Sequence, residues 1–391
     1  MMRRKEFVGS FQVPEEIERE ILSRLPVKSL FRFKTVKRSW RNLIEDSTFI
    51  AMHLNCYGSN TDGFFIHECY SYGIQLSRSL FDQPRKFIIG SINGLVCLSN
   101  TIRCFLKKDD RLRIHICNPS TREIMELPQC YHDHNDFLFG IGFGFCRKLN
   151  DYKVVKVSNR RDSSSSEVQV QVYSSNMNSW KRIKIENPSS WALLPLYRGN
   201  GCFNGAFHWQ GLKKSSSKKI IKTIVSFQFD EEVFREINLP NDPDFQGNVE
   251  FFITEYRDFF SSLVVKPEPN VNVYKVWVMK EYGVSDSWIK QLNIEVPISQ
   301  DQVIFRSIRD IKYKDILFQD SHHRFTWYDT KSKQMDGQSQ LLLQWYCIRC
   351  KESLVSLSQK RLEKRKTSSF DIEQCRNRNP SQCPINIFTG V

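Results

Sequence analysis

Two short strand-like motifs occur twice in this chain with almost the same separation. NGLVCL at 93–98 returns as NGAFHW at 204–209, and REIMELP at 122–128 returns as REINLP at 235–240. Because both pairs lie about 110 residues apart, a unit that contains both elements is duplicated. This duplication restricts the region to an architecture built from repeated strand units.

Further copies of one part of this unit lie between and beyond the duplicated motifs. In each copy an aromatic residue ends one strand, a polar turn follows, and an aromatic or aliphatic residue opens the next strand. The copies are VQVYSSNMNSWKRIKI at 170–185, YKVWVMKEYGVSDSWIKQLNI at 274–294 and RFTWYDTKSKQM at 324–335. The spacing of about 50 residues is that of one four-stranded blade. Residues 60–357 are therefore predicted to form an all-β, kelch-like β-propeller of about six blades.

The segment before this region has a helical period. PEEIEREILSRL, KSLFRFKTV and RSWRNLI are predicted to form three short helices, the first opening at Pro14 with acidic residues in its first turn. The first helix is expected to place four apolar residues on one face: Ile17, Ile21, Leu22 and Leu25. Three helices of this length cannot bury all of their apolar surface among themselves, so we expect a partner to cover part of it.

Lysine and arginine fill most gaps between the apolar residues of LPVKSLFRFKTVKRSWRNLI at 25–44. This mixture suits a DNA-reading helix, a membrane-surface helix or a module that docks another protein. A DNA-reading helix needs exposed polar side chains, whereas this segment offers Phe, Leu and Trp. Docking is the favoured interpretation, and a small helical subdomain that only packs its own core is the alternative.

Residues 13–54, VPEEIEREILSRLPVKSLFRFKTVKRSWRNLIEDSTFIAMHL, resemble an F-box, the module that binds a Skp-type adaptor in SCF ubiquitin ligases. The resemblance rests on a Leu-Pro pair followed by Leu, Phe and Trp in this order. It implies an adaptor-binding surface made of Leu25, Pro26, Val27, Leu30, Phe33, Val36 and Trp40. The chain departs from the usual plant pattern at Val13, Thr35 and Lys37.

The larger region resembles the F-box-associated domain of plant F-box proteins, and within it the S-locus F-box and S-locus-like group. The motifs that carry this resemblance are GSINGLVCL (90–98), CNPSTREIMELP (117–128), GFGFCRKLNDYKVVKV (142–157), GAFHWQG (205–211), SFQFDEEVFREINLP (226–240), VWVMKEYGVSDSWIKQL (276–292) and KESLVSL (351–357). Together the two resemblances imply the substrate-recognition subunit of an SCF E3 ubiquitin ligase. Its F-box would dock the adaptor, and through it the cullin and RING subunits. Its propeller would bind a target protein for ubiquitination and degradation.

The S-locus group includes pollen determinants of self-incompatibility, for which a secreted S-ribonuclease would be the target. Such ribonucleases are often basic, and a chain of net charge +14 repels a basic partner unless its acidic loops are concentrated. A ligase-independent interaction scaffold is the alternative function. An enzyme or nucleic-acid binder built on a propeller is the third.

No motif of a hydrolase, zinc protease or nucleotide-binding loop is found in the sequence. His132 and His134, with Asp133 and Asp136, can be drawn as a metal or acid/base cluster, but neither they nor the His322–His323 pair has a helical scaffold. We therefore predict a non-catalytic receptor subunit without cofactor or metal. Trp180, Trp209, Trp277 and Trp288 are predicted to pack between blades.

Target-binding residues are predicted in polar loops rather than in these scaffold motifs. The candidate segments are 130–137, 158–167, 212–219, 241–248 and 319–325. The candidate residues within them are His132, Asp133, His134, Arg160, Arg161, Lys213, Lys214, Asp242, Asp244, His322 and His323.

The chain has 12 cysteines and no apolar run long enough for a membrane span or a secretory signal. We expect a cytoplasmic protein, with the nucleus as an alternative, in which most cysteines are buried thiols. A zinc site of Cys347, Cys350, Cys375 and Cys383 is the less favoured interpretation, because no second CxxC or histidine spacing supports it. Residues 1–12 precede the F-box. The tail at 358–391, with the basic run KRLEKRK, is predicted to be disordered or to carry a nuclear-import signal.

Overall fold

A computed structural model describes most of the chain. The described residues are 13–56, 62–68, 87–100, 111–131, 136–161, 166–185, 191–193, 201–214, 219–247, 249–297, 305–311, 315–320, 325–329, 331–336 and 345–357. The predicted N-terminal segment 1–12, the tail 358–391 and two of the proposed zinc ligands, Cys375 and Cys383, lie outside them.

Four helices come first: α1 (Glu15–Ser23), α2 (Val27–Phe33), α3 (Arg38–Glu45) and α4 (Ser47–Cys56). The sequence predicted three. The fourth begins after Asp46, whose carboxylate accepts hydrogen bonds from the backbone N–H groups of Thr48 (3.0 Å) and Phe49 (3.1 Å). One apolar core holds the helices together: Leu22, Val27, Leu30, Leu43, Ile44, Phe49 and, from the far end of the chain, Leu354.

The described strands form six antiparallel sheets. The first strand, β1 (Asp62–Glu68), pairs with the last, β23 (Trp345–Lys351). Between them, blade 1 contains β2 (Phe87–Ile92), β3 (Leu95–Ser99), β4 (Ile114–Asn118) and β5 (Glu123–Glu126). Blade 2 contains β6 (Asp136–Cys146), β7 (Asp151–Arg161), β8 (Ser166–Ser174) and β9 (Ser179–Ile183). Blade 3 contains β10 (Trp191–Leu193), β11 (Gly201–Phe203), β12 (Ala206–Lys214), β13 (Ile220–Gln228) and β14 (Val233–Ile237).

Blade 4 contains β15 (Glu250–Tyr256), β16 (Phe259–Pro267), β17 (Val271–Met279) and β18 (Trp288–Pro297). Blade 5 contains β19 (Phe305–Ile311), β20 (Asp315–Asp320), β21 (Phe325–Asp329) and β22 (Gln334–Asp336). Blades 1 to 5 touch in chain order, and β23 contacts β2 of blade 1. The last sheet thus joins the two ends of the β region. This architecture confirms the predicted small helical module followed by an all-β propeller of about six blades.

The repeated sequence motifs are the hairpins of the blades. Asn93-Gly94 and Asn204-Gly205 make the first turn of blades 1 and 3, with both residues at positive φ, and Arg257-Asp258 repeats this in blade 4. Two consecutive positive φ angles define the type I′ turn, whose twist suits a tight hairpin. The outer hairpins of blades 1, 2, 3 and 5 also share one positive-φ residue each: Arg122, Asn178, Glu232 and Lys333.

The predicted packing tryptophans lie between blades. Trp180 Nε1 donates to the carbonyl of Pro128, which follows the last strand of blade 1 (2.7 Å). Trp288 Nε1 donates in the same way to Asn238, which follows the last strand of blade 3 (3.1 Å). Trp209, Trp277 and Trp288 are buried and Trp180 is partly buried. The repeat therefore includes one interblade hydrogen bond as well as apolar contact.

A row of glycines in β6 makes room for the next blade. A Cβ on Gly142 would lie 2.8 Å from the ring of Phe207, and one on Gly144 would overlap the ring of Phe229. The sequence predicted close approach of backbones at these glycines. The neighbours are instead aromatic side chains of blade 3, whose rings occupy the space that a Cβ would need.

A short segment after β23 joins the propeller to the helices; we call residues 352–357 the strap. Asn118, fully buried, donates from Nδ2 to the carbonyls of Ser353 (2.9 Å) and Val355 (2.8 Å). The Glu352 carboxylate accepts the first backbone N–H of α2, from Val27 (3.0 Å). Leu354 enters the helical core, and Leu357 enters the main propeller core. The strap is therefore shared by both modules.

We expect Asn118→Ala to lower the free energy of unfolding by about 2–4 kcal/mol, because it leaves two strap carbonyls without their buried donor. Asn176→Ala is the matched control, since Asn176 Nδ2 makes one exposed hydrogen bond, to the carbonyl of Leu149 (2.9 Å). That change should cost less than about 1 kcal/mol. Urea unfolding followed by tryptophan fluorescence measures both. Equal losses would show that the strap contacts add nothing to stability.

Gly144→Ala should destabilise the interface between blades 2 and 3 by roughly 1–3 kcal/mol or more, because the new methyl group overlaps a buried ring. Gly201→Ala adds the same methyl group to a strand where a Cβ would meet no atom within 4 Å. We therefore expect a near-native thermal midpoint for Gly201→Ala and a clear drop for Gly144→Ala. A Gly144→Ala protein as stable as the wild type would mean that the ring of Phe229 moves away at little cost.

Candidate functional site

The helical module leaves large apolar side chains in contact with solvent. Their exposed fractions range from 40% to 67%, and they are Val13, Ile17, Ile21, Phe31 and Val36. The core beneath them is already filled, with Leu30, Ile44 and Phe49 completely buried. Incomplete packing of the core therefore does not explain these exposed apolar side chains. They form a surface suited to a partner.

Helix α1 divides the apolar set that the sequence placed on one face. Leu22 is buried at 2% exposure, whereas Ile17 and Ile21 are half exposed. Ile17 and Ile21 are four residues apart and so lie on one side of the helix, and the half-buried Leu25 follows the helix at the same spacing. Sequence reasoning did not assign Ile17 and Ile21 to the docking surface. The signal was present in this spacing, which differs from that of the core residue Leu22.

The Leu25-Pro26 connection between α1 and α2 is held from several directions. The carbonyl of Pro26 accepts the backbone N–H groups of Ser29 (2.9 Å) and Leu30 (3.1 Å), which starts α2. The carbonyl of Leu25 lies 2.9 Å from Nε2 of the buried His53. Burial lowers the pKa of His53, so its ring is neutral at pH 7 and donates from Nε2 to this carbonyl. The Leu25-Pro26 pair is thus held in a fixed conformation, with both side chains half-buried.

Trp40 ties α3 to α1. Its Nε1 donates to Oε2 of Glu18 (2.8 Å), its ring lies 5.4 Å from that of Phe33, and Lys37 Nζ reaches the same carboxylate (3.2 Å). The hydrogen bond from Trp40, followed by that from Lys37, lowers the pKa of Glu18. The ion pair and the tryptophan together fix the polar edge of the apolar surface.

Two of the predicted adaptor-binding residues have a different position from the rest. Val27 is 1% exposed and Leu30 is fully buried, both in the helical core with Leu354. Without rearrangement they cannot touch a partner, so they hold the surface in shape. Leu25, Pro26, Phe33 and Trp40 are half-buried at its base, and Val36 is the most exposed of the predicted set.

The topology brings the predicted target-binding segments to one end of the propeller. In an antiparallel blade, the first and third turns lie at one end and the second turn and the link to the next blade lie at the other. We call these ends the hairpin face and the loop face. The described strand ends that flank all five segments, 130–137, 158–167, 212–219, 241–248 and 319–325, are those of second turns or of links between blades, which are on the loop face.

The strap lies at the opposite end. It contacts Asn118 and Ser120 at the outer turn of blade 1, and a Cβ on Gly94 in the first turn would collide with Ser353. A hydrogen bond from the backbone N–H of Arg147 to Asp230 (2.7 Å) likewise joins turns of blades 2 and 3 on the hairpin face. The helical module is therefore tied to the end of the propeller away from the loop face.

Several loop-face candidates are described in detail. Lys213 donates to Asn238 Oδ1 (2.6 Å) and pairs with Glu236 (2.9 Å). Asp242 caps a short 3₁₀ turn by accepting the N–H of Asp244 (2.9 Å). Arg160, Arg161 and Lys214 lie on described strand backbone, but their side chains lie outside the described part, as do His132, Asp133, His134, His322 and His323.

Asp244 is buried and paired with two lysines, Lys275 and Lys290, the latter at 2.8 Å. Burial acts to raise its pKa, but the hydrogen bonds and charges of the two lysines outweigh it, so the pKa is lowered. The carboxylate is ionised at neutral pH and engaged inside the protein. Its role in the described structure is to join the 241–248 segment to β17 and β18.

Among the described residues, no group of three or more His, Cys, Asp or Glu side chains is arranged to hold a metal ion. Within the same residues, no helix has both the length and the apolar character required to cross a membrane. Among the described cysteines, Cys97, Cys117, Cys130 and Cys146 are buried.

Comparison with known proteins agrees with this architecture. The F-box associated beta propeller domain family matches residues 31–335. F-box protein CPR1 of Arabidopsis thaliana is 29% identical over 358 residues, which cover 83% of each chain. An F-box/kelch-repeat protein of the same plant is 28% identical over 317 residues, covering 74% of this chain and 81% of its own.

The family match extends from the second helix to the fifth blade. The four helices, the six sheets and these relatives lead to one conclusion: the chain belongs to the F-box-associated family of plant F-box proteins, with an F-box-like helical module before the propeller.

Proposed function

We propose that this chain is the substrate-recognition subunit of an SCF E3 ubiquitin ligase. Its helices dock a Skp-type adaptor and, through it, the cullin and RING subunits. Its propeller binds a target protein for ubiquitination and degradation. The chain acts as a receptor and performs no chemistry itself. It holds the target at high effective concentration beside the enzyme that transfers ubiquitin.

The observation that carries this proposal is the exposed apolar surface of helices whose own core is complete. Ile21 and Val36 are 53% and 67% exposed, although Leu354 from the strap has already closed the core below them. A monomeric protein gains nothing from such a surface, and a partner helix or groove that covers it gains apolar burial.

The separation of the two faces supports the receptor role. The strap fixes the helices to the hairpin face, while the predicted target-binding segments lie on the loop face. An adaptor on the helices therefore leaves the loop face open. A target bound there is held in a defined position relative to the ligase, because the strap is bonded to both modules.

A role in pollen self-incompatibility, with an S-ribonuclease as the target, stays a prediction of the S-locus resemblance. It requires acidic groups on the loop face that a basic ribonuclease can reach. Asp242 serves as a turn cap, and Asp244 is paired internally with two lysines. These two carboxylates therefore give that role little support, and the target class is left open within the general receptor proposal.

Capture of a purified Skp-type adaptor and cullin by the full chain tests the adaptor part of the proposal. We expect the wild type to capture both, and Leu25→Ala/Pro26→Ala and Val36→Asp each to reduce capture at least about tenfold, because an apolar contact is lost or a charge is desolvated. Val36 is 67% exposed, so its replacement leaves the fold unchanged by circular dichroism.

Leu149→Asp is the control for Val36→Asp. Leu149 is 62% exposed, in the first turn of blade 2 on the hairpin face, and should tolerate the same charge without effect on capture. Failure of the folded wild type to capture any Skp-type adaptor would overturn the proposal and favour the ligase-independent scaffold. Equal loss in Val36→Asp and Leu149→Asp would show that the effect is not specific to the helical surface.

A further inference from the structure

A basic concavity opens at the turn between α2 and α3. Its volume is about 570 Å³, and it is lined by Lys34, Thr35, Val36, Lys37, Arg38, Arg41 and Asn42. Four of these seven residues are cations and none is acidic. The concavity adjoins the apolar surface described above, since Val36 belongs to both.

The four cations are only partly neutralised from outside the concavity. Lys34 pairs with Glu45 (3.4 Å), and Lys37 pairs with Glu18 (3.2 Å). Arg41 donates from Nε to the carbonyl of Lys34 (3.2 Å), which fixes the guanidinium stem without balancing its charge. Within the described part of the chain neither arginine has an acidic partner, so Arg38 and Arg41 supply the uncompensated charge.

The backbone adds to this positive potential. Helix α3 begins at Arg38, and no side chain caps its first N–H groups. The start of a helix carries partial positive charge from these groups, which favours an acidic ligand there. Two guanidinium groups without an acidic partner among the described residues and a helix start thus place positive charge around one open space.

Val36 decides which kind of anion fits. Its side chain is 67% exposed at the rim of the concavity, where a free phosphate would leave it in water. A peptide segment that carries carboxylates beside an apolar residue satisfies both the cations and the valine. Arginine suits carboxylates in particular, because its planar guanidinium donates two parallel hydrogen bonds to one carboxylate.

We propose that this basic concavity binds an acidic segment of the Skp-type adaptor and so speeds docking of the apolar surface beside it. This rests on the proposed function, because the adaptor is the partner expected to cover Val36. Charge on the rim of an interface acts mainly through the association rate, whereas the buried apolar contact governs dissociation. The concavity would therefore discriminate among adaptors by the acidity of that segment.

The test is the association rate of the full chain with a purified Skp-type adaptor, measured by surface plasmon resonance over a range of salt concentrations. Arg38→Glu/Arg41→Glu should slow association roughly tenfold at low salt, change the dissociation rate little, and flatten the salt dependence. Glutamate at the first turn of α3 suits a helix start, so folding should be retained. Arg38→Lys/Arg41→Lys should keep most of the rate.

Lys184→Glu/Lys219→Glu is the matched control, because it makes the same change in net charge at exposed lysines of the propeller. If it slows association as much as the arginine variant, overall charge is responsible and the concavity is not. If the wild type binds the adaptor but the arginine variant matches the wild-type rate, this inference fails while the proposed function stands. If the wild type does not bind, both fail.

A fluorescent single-stranded RNA serves as the competing probe. Salt-sensitive RNA binding that the arginine variant loses, with an unchanged adaptor rate, would assign the concavity to nucleic acid and overturn the inference.

Discussion

The side-chain amide of Asn118 is the contact on which the joining of the two modules depends. It uses both donors on the strap carbonyls of Ser353 and Val355, and its oxygen accepts the N–H groups of Ser120 (2.9 Å) and Thr121 (3.3 Å). A fully buried amide with all of these bonds made has one arrangement only, because any shift leaves a polar group unpaired. The outer turn of blade 1 and the strap are therefore fixed relative to each other.

The position of Leu354 follows from that arrangement. Asn118 binds the carbonyls of the residues on either side of Leu354. The Leu354 side chain therefore lies in the helical core, with Val27 and Leu30. The Glu352 carboxylate at the start of α2 adds a polar bond to the same junction. The helices are thus not an appendage on a flexible linker, since an apolar core and a hydrogen-bonded strap hold them to the propeller.

Much of the fold could be predicted because its signals are local. The Asn-Gly turns at 93–94 and 204–205, the tryptophan cassettes and the helical period before residue 45 each depend on a few neighbouring residues. The blade count follows from their spacing. The interaction of Gly142 and Gly144 with aromatic rings could not be predicted, because the sequence around β6 does not indicate that Phe207 and Phe229 pack against this strand.

The surface position of several candidate adaptor-binding residues was predictable for the same reason. Leu25, Pro26, Phe33, Val36 and Trp40 lie at or near the surface, whereas Val27 and Leu30 are core residues. Helical spacing identifies apolar residues but does not state which of two apolar faces points inward. Here the inward face packs on a core that includes Leu354, more than 300 residues away along the chain, and no local sequence pattern predicts that contact.

The shared strap also has a consequence for the order in which the protein is made. Residues 13–56 leave the ribosome before the propeller, but their core lacks Leu354, and α2 lacks the Glu352 carboxylate, until almost the whole propeller has been synthesised. Closure of the β1–β23 sheet brings that segment to the helices. A chain that stops in an early blade would therefore have incompletely packed helices. The helical module reaches its final packing only when the propeller is complete.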